Sequence, residues 1–330
     1  MILYLLRRLA AAAAILLVIC ALTFAIFYVM PADPAQSACG KACSPERIAE
    51  IRHTMGLDEP VPEQFAGYLR GIVTGRTYGT GEMAVACPVP CLGFSFQNNQ
   101  PVWQTLTSRL PVSVSIAVGA ALLWLAVGVA AGVVSALRRG SVWDRAAMIA
   151  ALGGISVPIY LTALVLQYVL VVKLNLLPYP RAVGFWSDPA GWAASMVMPW
   201  ITLAMLYAGI YARITRGEML DSLGRNYVRT ARAKGLPERT VLRRHALRPA
   251  LMPIVTIFGM DLGALLGGAL ITESVFGLPG VGKLAADAIA AADQPVILGV
   301  TLFAAAFVIL ANVAVDLVYA ALDPRVRSAA

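Results

Sequence analysis

Charged residues are scarce in this chain. Asp, Glu, Lys and Arg make up 13% of its 330 residues, whereas soluble domains carry about 25%. That leaves too little polar surface to cover a water-soluble globule, and two histidines and five cysteines are too few for a protein dense in redox cofactors. The chain is instead 59% apolar, with a mean hydropathy of +0.75. This composition predicts a single polytopic integral membrane protein.

Six apolar runs are long enough to cross a bilayer, which takes about 20 helical residues. None alternates polar and apolar positions as barrel strands do, so we predict an all-α protein with six transmembrane helices. The first run is longer than the roughly 7–15-residue core of a signal peptide, which favours an uncleaved span. The runs cover residues 9–30, 112–137, 146–172, 193–212, 250–271 and 296–322.

Basic residues are unevenly distributed between the two sides that these helices define. With the N-terminus inside, 17 of the 26 Lys and Arg residues fall in cytoplasmic segments, and this asymmetry is what sets membrane topology. We therefore predict that both termini are cytoplasmic. The net charge of +8 then belongs to the cytoplasmic face of the membrane, and no nucleic-acid partner is expected.

The cytoplasmic segment between the fourth and fifth runs has the features of a docking element. Residues 225–234 favour a helix, Gly235 is a natural stop, and Pro237 fits the first turn of a second helix. A short helix that presents small and apolar residues suits a groove on a partner protein. The alternative interpretation is a basic segment attracted to anionic lipid.

The spacing within this segment resembles the "EAA" loop of ABC importer permeases. Ala231 is followed by Gly235 four positions on and by His245-Ala246-Leu247 ten positions later. The wider string 227–236 is similar to the B-type branch of the dipeptide and oligopeptide permeases, including a basic Arg229 where the general consensus has an acid. Other matching segments follow in order along the chain: Leu6-Arg7-Arg8-Leu9, Pro31-Ala32-Asp33-Pro34, Ser44-Pro45-Glu46, Gly56-Leu57-Asp58, Arg138-Arg139-Gly140-Ser141, Thr272-Glu273-Ser274-Val275-Phe276, Leu278-Pro279-Gly280-Val281-Gly282 and Asp323-Pro324-Arg325-Val326-Arg327.

The resemblance implies a type I ABC importer permease fold in the plasma (inner) membrane, and a transport subunit that is not itself an enzyme. Its partners would be a second homologous permease subunit, two cytoplasmic ATPase subunits and an extracytoplasmic substrate-binding protein, with di- or oligopeptides as substrate. This subunit would bind no cofactor, because ATP and Mg²⁺ belong to the ATPase subunits. The residues implied to couple to the ATPase are Tyr227, Arg229, Ala231, Arg232, Ala233, Lys234, Gly235 and Leu236.

The resemblance also suggests domain boundaries. An N-terminal helix takes residues 1–30, an extracytoplasmic loop 31–104, the importer transmembrane domain 105–322 with its coupling loop at 213–249, and a cytoplasmic tail 323–330. Two alternatives remain. The same importer architecture could carry nickel, glutathione or haem, or the chain could be a stand-alone secondary transporter or channel, a class that typically shows internal repeats.

Acidic residues in or beside the apolar runs are candidates for function, because charges inside a membrane are costly. Asp261 lies in the fifth run, where it would suit the cationic amino terminus of a peptide in the translocation pathway. Glu273 and Phe276, at the outer end of that run, are predicted to contribute to a gate. Asp316, near the inner end of the sixth run, is predicted to form a structural ion pair with a loop arginine.

Two glycine patterns accompany these residues. Glycines 259, 263 and 267 recur at four-residue spacing, which allows close helix contact; a subunit interface is one interpretation. Residues 277–284 match the phosphate-loop pattern G-x-x-x-x-G-K, but Leu284 replaces the Ser or Thr that would hold Mg²⁺. We therefore expect a glycine-hinged outer loop rather than a nucleotide site.

Four of the five cysteines form two C-x₃-C pairs in the extracytoplasmic loop. Such pairs can ligate zinc, but an oxidising compartment favours disulfides, and we predict disulfides. Four cysteines allow three pairings, and the spacing does not choose among them. The four are Cys39, Cys43, Cys87 and Cys91.

Overall fold

A computed structural model describes residues 2–29, 35–36, 43–79 and 84–322, with the side chains of 2–6, 9, 27–29 and 316–322 left out. The described part of the chain is predominantly helical. Its longer helices are α1 (Ile2–Val29), α2 (Pro45–Met55), α3 (Val61–Thr74), α4 (Val102–Leu137), α5 (Val142–Ser156), α6 (Ile159–Lys173), α7 (Pro189–Gly224), α8 (Asn226–Ala233), α9 (Glu238–Leu266), α10 (Leu270–Val275), α11 (Val281–Ala291) and α12 (Gln294–Leu322).

Among the described residues, four helices are long and apolar enough to cross a membrane: α4, α7, α9 and α12. The pair α5 and α6, which bends by 97° at its junction, meets the same criterion when it is taken as one span. The N-terminal run is helical as α1. The described residues of the six predicted runs are helical apart from two breaks. The third run is interrupted between Ser156 and Ile159, and the fifth, predicted as residues 250–271, is interrupted after Leu266 and resumes as α10 at Leu270.

The break in the third run has a local cause. Pro158 disfavours helical geometry in the residue before it, and Val157 is accordingly extended, with φ −86° and ψ 125°. Helix α5 therefore ends at Ser156, and α6 begins just after the proline. Hydropathy does not reveal this bend, because both halves are apolar.

The helices on the side predicted to be cytoplasmic are longer than the hydropathy predicts. Helix α7 continues to Gly224, and α9 begins at Glu238. Residues 241–247 of α9 are π-helical. The predicted loop 213–249 is therefore reduced to a connection of residues 225–237. Hydropathy finds only the part of a helix that lies in the membrane, whereas Arg, Glu, Met and Leu also favour helix outside it.

The predicted extracytoplasmic loop contains strands that an all-α prediction omits. Strand β1 (Arg76–Tyr78) pairs antiparallel with β2 (Val85–Cys87), and β3 (Phe94–Ser95) pairs with β4 (Gln100–Pro101). The strands have two or three residues each, too short to give a sequence period. They lie beside helices α2 and α3 and lead directly into α4.

This outer subdomain is fastened to the base of α12. The Ser95 hydroxyl donates to the carboxylate of Asp293, and the Gln97 amide donates to the carbonyl of Ala291 at 2.8 Å. Burial raises the pKa of Asp293, while the Ser95 hydrogen bond acts in the opposite direction. The loop is thus a packed part of the fold rather than a free connection.

A disulfide closes the tip of this subdomain. Cys87 and Cys91 are bonded to each other, and both are buried against Tyr78 and Phe94. Cys43 is also disulfide-bonded, whereas Cys39 lies outside the described residues. Four cysteines allow three disulfide pairings. The structure shows the one in which Cys87 bonds to Cys91, the other cysteine of the same C-x₃-C motif.

Mass spectrometry can check this pairing. Alkylation of the denatured, unreduced protein should modify Cys20, the buried free thiol, and leave Cys87 and Cys91 unmodified. Both should become alkylatable only after reduction, because the extracytoplasmic side is oxidising. Cys20 serves as the positive control for alkylation. Alkylation of Cys87 or Cys91 before reduction would contradict the disulfide.

The main core lies where α4, α6, α7 and α9 meet. Trp124 of α4 is completely buried at its centre, stacked on Tyr207 of α7 with ring centroids 4.6 Å apart. On the other side of α9, the glycines at 259, 263 and 267 face α12 of the same chain. A β-carbon at Gly263 would lie 2.6 Å from Ala311 Cβ. The glycine stripe is therefore used for packing within the chain.

Candidate functional site

The connection 225–237, which we call the coupling segment, has a small apolar core of its own. Helix α8 turns Val228 and Ala231 inward against Val241 of α9, and all three are buried. This changes the expected role of Ala231, whose small side chain permits a close contact within the chain. The segment is consequently a preformed element rather than a flexible linker.

Gly235 ends α8 as the sequence predicts. Its φ is +75°, a conformation that favours glycine because it has no Cβ. The Gly235 amide donates to the carbonyl of Arg232 at 2.9 Å, and the Leu236 amide donates to that of Ala231 at 3.3 Å. The Arg232 guanidinium also binds the Glu238 carboxylate twice, at 2.6 and 3.2 Å. The turn is thus closed by both backbone and side chains.

The segment is also attached to both long helices that flank it. The hydroxyls of Tyr227 and Ser222 share a hydrogen bond of 3.0 Å, and Ser222 donates to the carbonyl of Ala246 at 2.9 Å. Ser222 lies at the end of α7 and Ala246 near the start of α9. A force applied to the segment therefore reaches both helices.

The outer face of the segment is open to solvent. Tyr227 and Leu236 are 44% and 39% exposed, so the segment presents two large side chains at its surface. The remaining predicted coupling residues, apart from the buried Ala231, share this exposed face: Arg229, Arg232, Ala233, Lys234 and Gly235.

A buried ion pair behind the segment was not predicted from the sequence. Arg216 of α7 binds Asp144 of α5 through two hydrogen bonds of 2.7 and 2.9 Å. The same carboxylate accepts from the Gly140 amide and the Ser135 hydroxyl. The sequence does contain one signal for the position of Asp144. Ser141 lies three residues before it and caps the start of α5. The pair joins the α4–α5 turn to the helix that carries the coupling segment.

Glu273, for which a gate role stays a prediction, is completely buried. Its carboxylate accepts hydrogen bonds from the Ser113 hydroxyl at 2.7 Å, the Lys283 amide at 2.8 Å and the Ala269 amide at 3.2 Å. Phe276 is likewise buried, in the main core. Both residues therefore hold together the segments around residues 269–283 in this conformation.

The same network accounts for the phosphate-loop lookalike at 277–284. The Val281 amide donates to the Ser113 hydroxyl at 2.8 Å, and the Lys283 amide is bound by Glu273. Backbone donors that a phosphate would need are therefore already occupied. Ser113 is one of several hydroxyl residues on α4 and lies 160 positions before Glu273, so the sequence gave no signal for this role.

Asp261 lies beside the aromatic core. Its carboxylate accepts a hydrogen bond of 2.8 Å from the buried hydroxyl of Tyr211. Tyr211 and Phe258 both pack near Trp124, with centroid distances of 6.1 and 6.3 Å. The side chain of Asp316 falls outside the described residues, so its predicted ion pair stays a prediction.

Comparisons with known proteins agree with this architecture. Residues 128–328 match the family described as the binding-protein-dependent transport system inner membrane component, and residues 1–117 match the family of its N-terminal region. The chain is 38% identical to a Brucella abortus protein named as a peptide transport system permease, over 98% of both chains. It is 35% identical to the dipeptide transport system permease protein DppB of Escherichia coli K12, again over 98% of both.

A solved structure supports the fold. The chain is similar to a chain in the inward-facing MetNI methionine ABC transporter, with a TM-score of 0.50 and 17% identity, covering 67% of this chain and 97% of that one. The predicted resemblance to importer permeases is thus confirmed. The chain belongs to the binding-protein-dependent transport system inner membrane component family, and it is the permease component of an ABC importer.

Proposed function

We propose that this permease forms half of the translocation pathway of a di- or oligopeptide importer. The observation that carries the proposal is full-length similarity, at 35–38% identity, to proteins named as peptide and dipeptide permeases. Membership of the family implies a substrate-binding protein and ATPase partners. We further propose that the complete importer contains one second permease subunit, homologous to this chain, and two ATPase subunits.

Coupling to the ATPase is proposed to use the exposed face of the coupling segment. Three features support this role. The segment has its own core, it exposes Tyr227 and Leu236, and it is bonded to the ends of α7 and α9. A rigid element of this kind can pass a displacement from a partner to two transmembrane helices at once, whereas a lipid anchor needs no such rigidity.

Uptake by the reconstituted importer tests the cargo. The chain, its partner subunits and its binding protein are placed in proteoliposomes, and uptake of a labelled dipeptide is measured with and without ATP inside. ATP-dependent uptake is expected, and an unlabelled dipeptide should compete. Competition by nickel, glutathione or haem but not by peptide would assign the other cargo, and uptake without ATP would favour a stand-alone transporter.

Cysteine labelling tests the proposed orientation. Glu63→Cys on α3 and Thr230→Cys on the coupling segment replace exposed residues, in a background with Cys20→Ser. A membrane-impermeant maleimide should label Glu63→Cys in intact cells and Thr230→Cys only after the membrane is opened, because the basic segments stay inside. Labelling of both variants in intact cells would contradict cytoplasmic placement of the coupling segment.

A further inference from the structure

Asp261 differs from Asp144, the ion-paired carboxylate described above. Asp144 is neutralised by Arg216. Across the described residues, 2–29, 35–36, 43–79 and 84–322, no Lys, Arg or His forms an ion pair with Asp261. Its single hydrogen-bond partner there is the Tyr211 hydroxyl. A charge within a membrane span normally pairs with another charge or serves a pathway, so Asp261 is a candidate for a functional contact.

The surroundings of Asp261 suit a particular cation. Phe258 lies three residues before it on α9, and Tyr207 lies four residues before Tyr211 on α7, so each helix presents an aromatic ring and a polar group on one face. The Tyr207 and Phe258 rings are partly exposed, whereas Trp124 behind them is completely buried. Ring faces beside a carboxylate attract ammonium groups.

The site is also placed where a substrate can reach it. Asp261 is partly exposed, and its neighbours Met260 and Ala264 on α9 are open. The side of the same helix that carries the glycines packs against α12. Asp261 therefore lies at the margin between the packed core and a surface that the described residues leave uncovered.

We propose that Asp261, with the rings of Tyr207 and Phe258, binds the terminal ammonium group of the peptide as it crosses the membrane. The inference rests on the proposed peptide cargo and adds the chemical group that this subunit recognises. Tyr211 is a positioning residue, because its hydrogen bond orients the carboxylate and leaves the second oxygen for the ligand.

Asparagine at position 261 separates this role from a structural one. It keeps the size of aspartate and an oxygen that accepts the Tyr211 hydrogen bond, but it removes the charge. In the reconstituted importer, Asp261→Asn should lower ATP-driven dipeptide uptake about tenfold or more, which is typical of losing a contact to a charged group. Asp261→Glu should retain most of the uptake.

Two further variants serve as controls. Tyr211→Phe removes the same hydrogen bond and keeps the charge, so uptake should fall less than it does in Asp261→Asn. Tyr207→Leu loses an aromatic ring beside the carboxylate and should also lower uptake. A purely structural role predicts the reverse order, with Asp261→Asn near wild type and Tyr211→Phe impaired.

The outcomes are distinguishable. Uptake by Asp261→Asn equal to that of the wild type overturns the inference and leaves peptide transport intact. Loss of the second permease subunit from purified Asp261→Asn complexes also overturns it, because the carboxylate then pairs with a cation of that subunit. Absence of dipeptide uptake in the wild-type importer refutes the proposed cargo, and this inference with it.

Discussion

An importer that carries Gly235→Val should import almost nothing and should lose most of its substrate-stimulated ATP hydrolysis, although the subunit still reaches the membrane. Gly235 has a φ of +75°, and a left-handed conformation costs other residues about 1–2 kcal/mol, more for a β-branched side chain. No heavy atom lies within 4 Å of a β-carbon built there. The effect therefore comes from the backbone, which must leave the turn and displace Leu236.

Gly217→Val is the matched control for this prediction. Gly217 lies on the same side of the fold near the end of α7, and it is also exposed and free of neighbours within 4 Å of a β-carbon, but its φ is not in the left-handed region. It should transport nearly as the wild type does. Arg243→Gln and Arg244→Gln test the lipid alternative, because juxtamembrane contacts of basic residues with lipid are worth about 1 kcal/mol each.

Transport and ATPase assays on these variants, matched for membrane abundance, separate the two interpretations. Docking to a partner predicts that Gly235→Val is the most damaging change. Anchoring to lipid predicts that loss of the arginines dominates and that Gly235→Val is tolerated. If the arginine variants are more damaging than Gly235→Val, the proposed coupling role of this segment is wrong.

Glu273→Ala should destabilise the outer loops more than any surface substitution. It removes the acceptor for three donors, the Ser113 hydroxyl and the amides of Ala269 and Lys283. A buried donor left without a partner costs about 1–3 kcal/mol, and a cavity remains where the side chain was. We expect the melting temperature of the purified importer to fall by several degrees, with earlier proteolytic cleavage between α10 and α11.

Asp287→Ala is the control for the loss of an acidic side chain in the same region. Asp287 is exposed on α11, so its loss should leave the melting temperature and the cleavage pattern unchanged. Ser113→Ala should share most of the effect of Glu273→Ala. The double variant should be less damaging than the sum of the two, since both residues belong to one network. Normal stability of Glu273→Ala would contradict the anchoring role of the carboxylate.

The sequence predicted the features that depend on neighbouring residues. The apolar runs gave the helices, and Gly235 and Pro237 gave the end of α8 and the start of α9. The resemblance to importer permeases added the family, because the order of its motifs extends along the whole chain. Each of these signals is local, or is a sum of local signals.

Contacts between distant positions were not predicted. Asp144 pairs with Arg216 across 72 positions, and Ser113 reaches Glu273 across 160. A single sequence does not specify which polar residues meet when helices pack. The burial of single side chains was not predicted for the same reason: Ala231 and Glu273 are both buried within the chain, and their sequence context does not show it.

The glycine stripe on α9 has a mechanical consequence. A β-carbon at Gly267 would lie 2.7 Å from Ala304 Cβ, and one at Gly263 would lie 2.6 Å from Ala311 Cβ, so two helix backbones touch along several turns. Interiors packed this closely transmit strain instead of yielding to it. Helices α9 and α12 are therefore expected to move as one rigid body, so that a tilt of α9 at the end near the coupling segment also tilts α12.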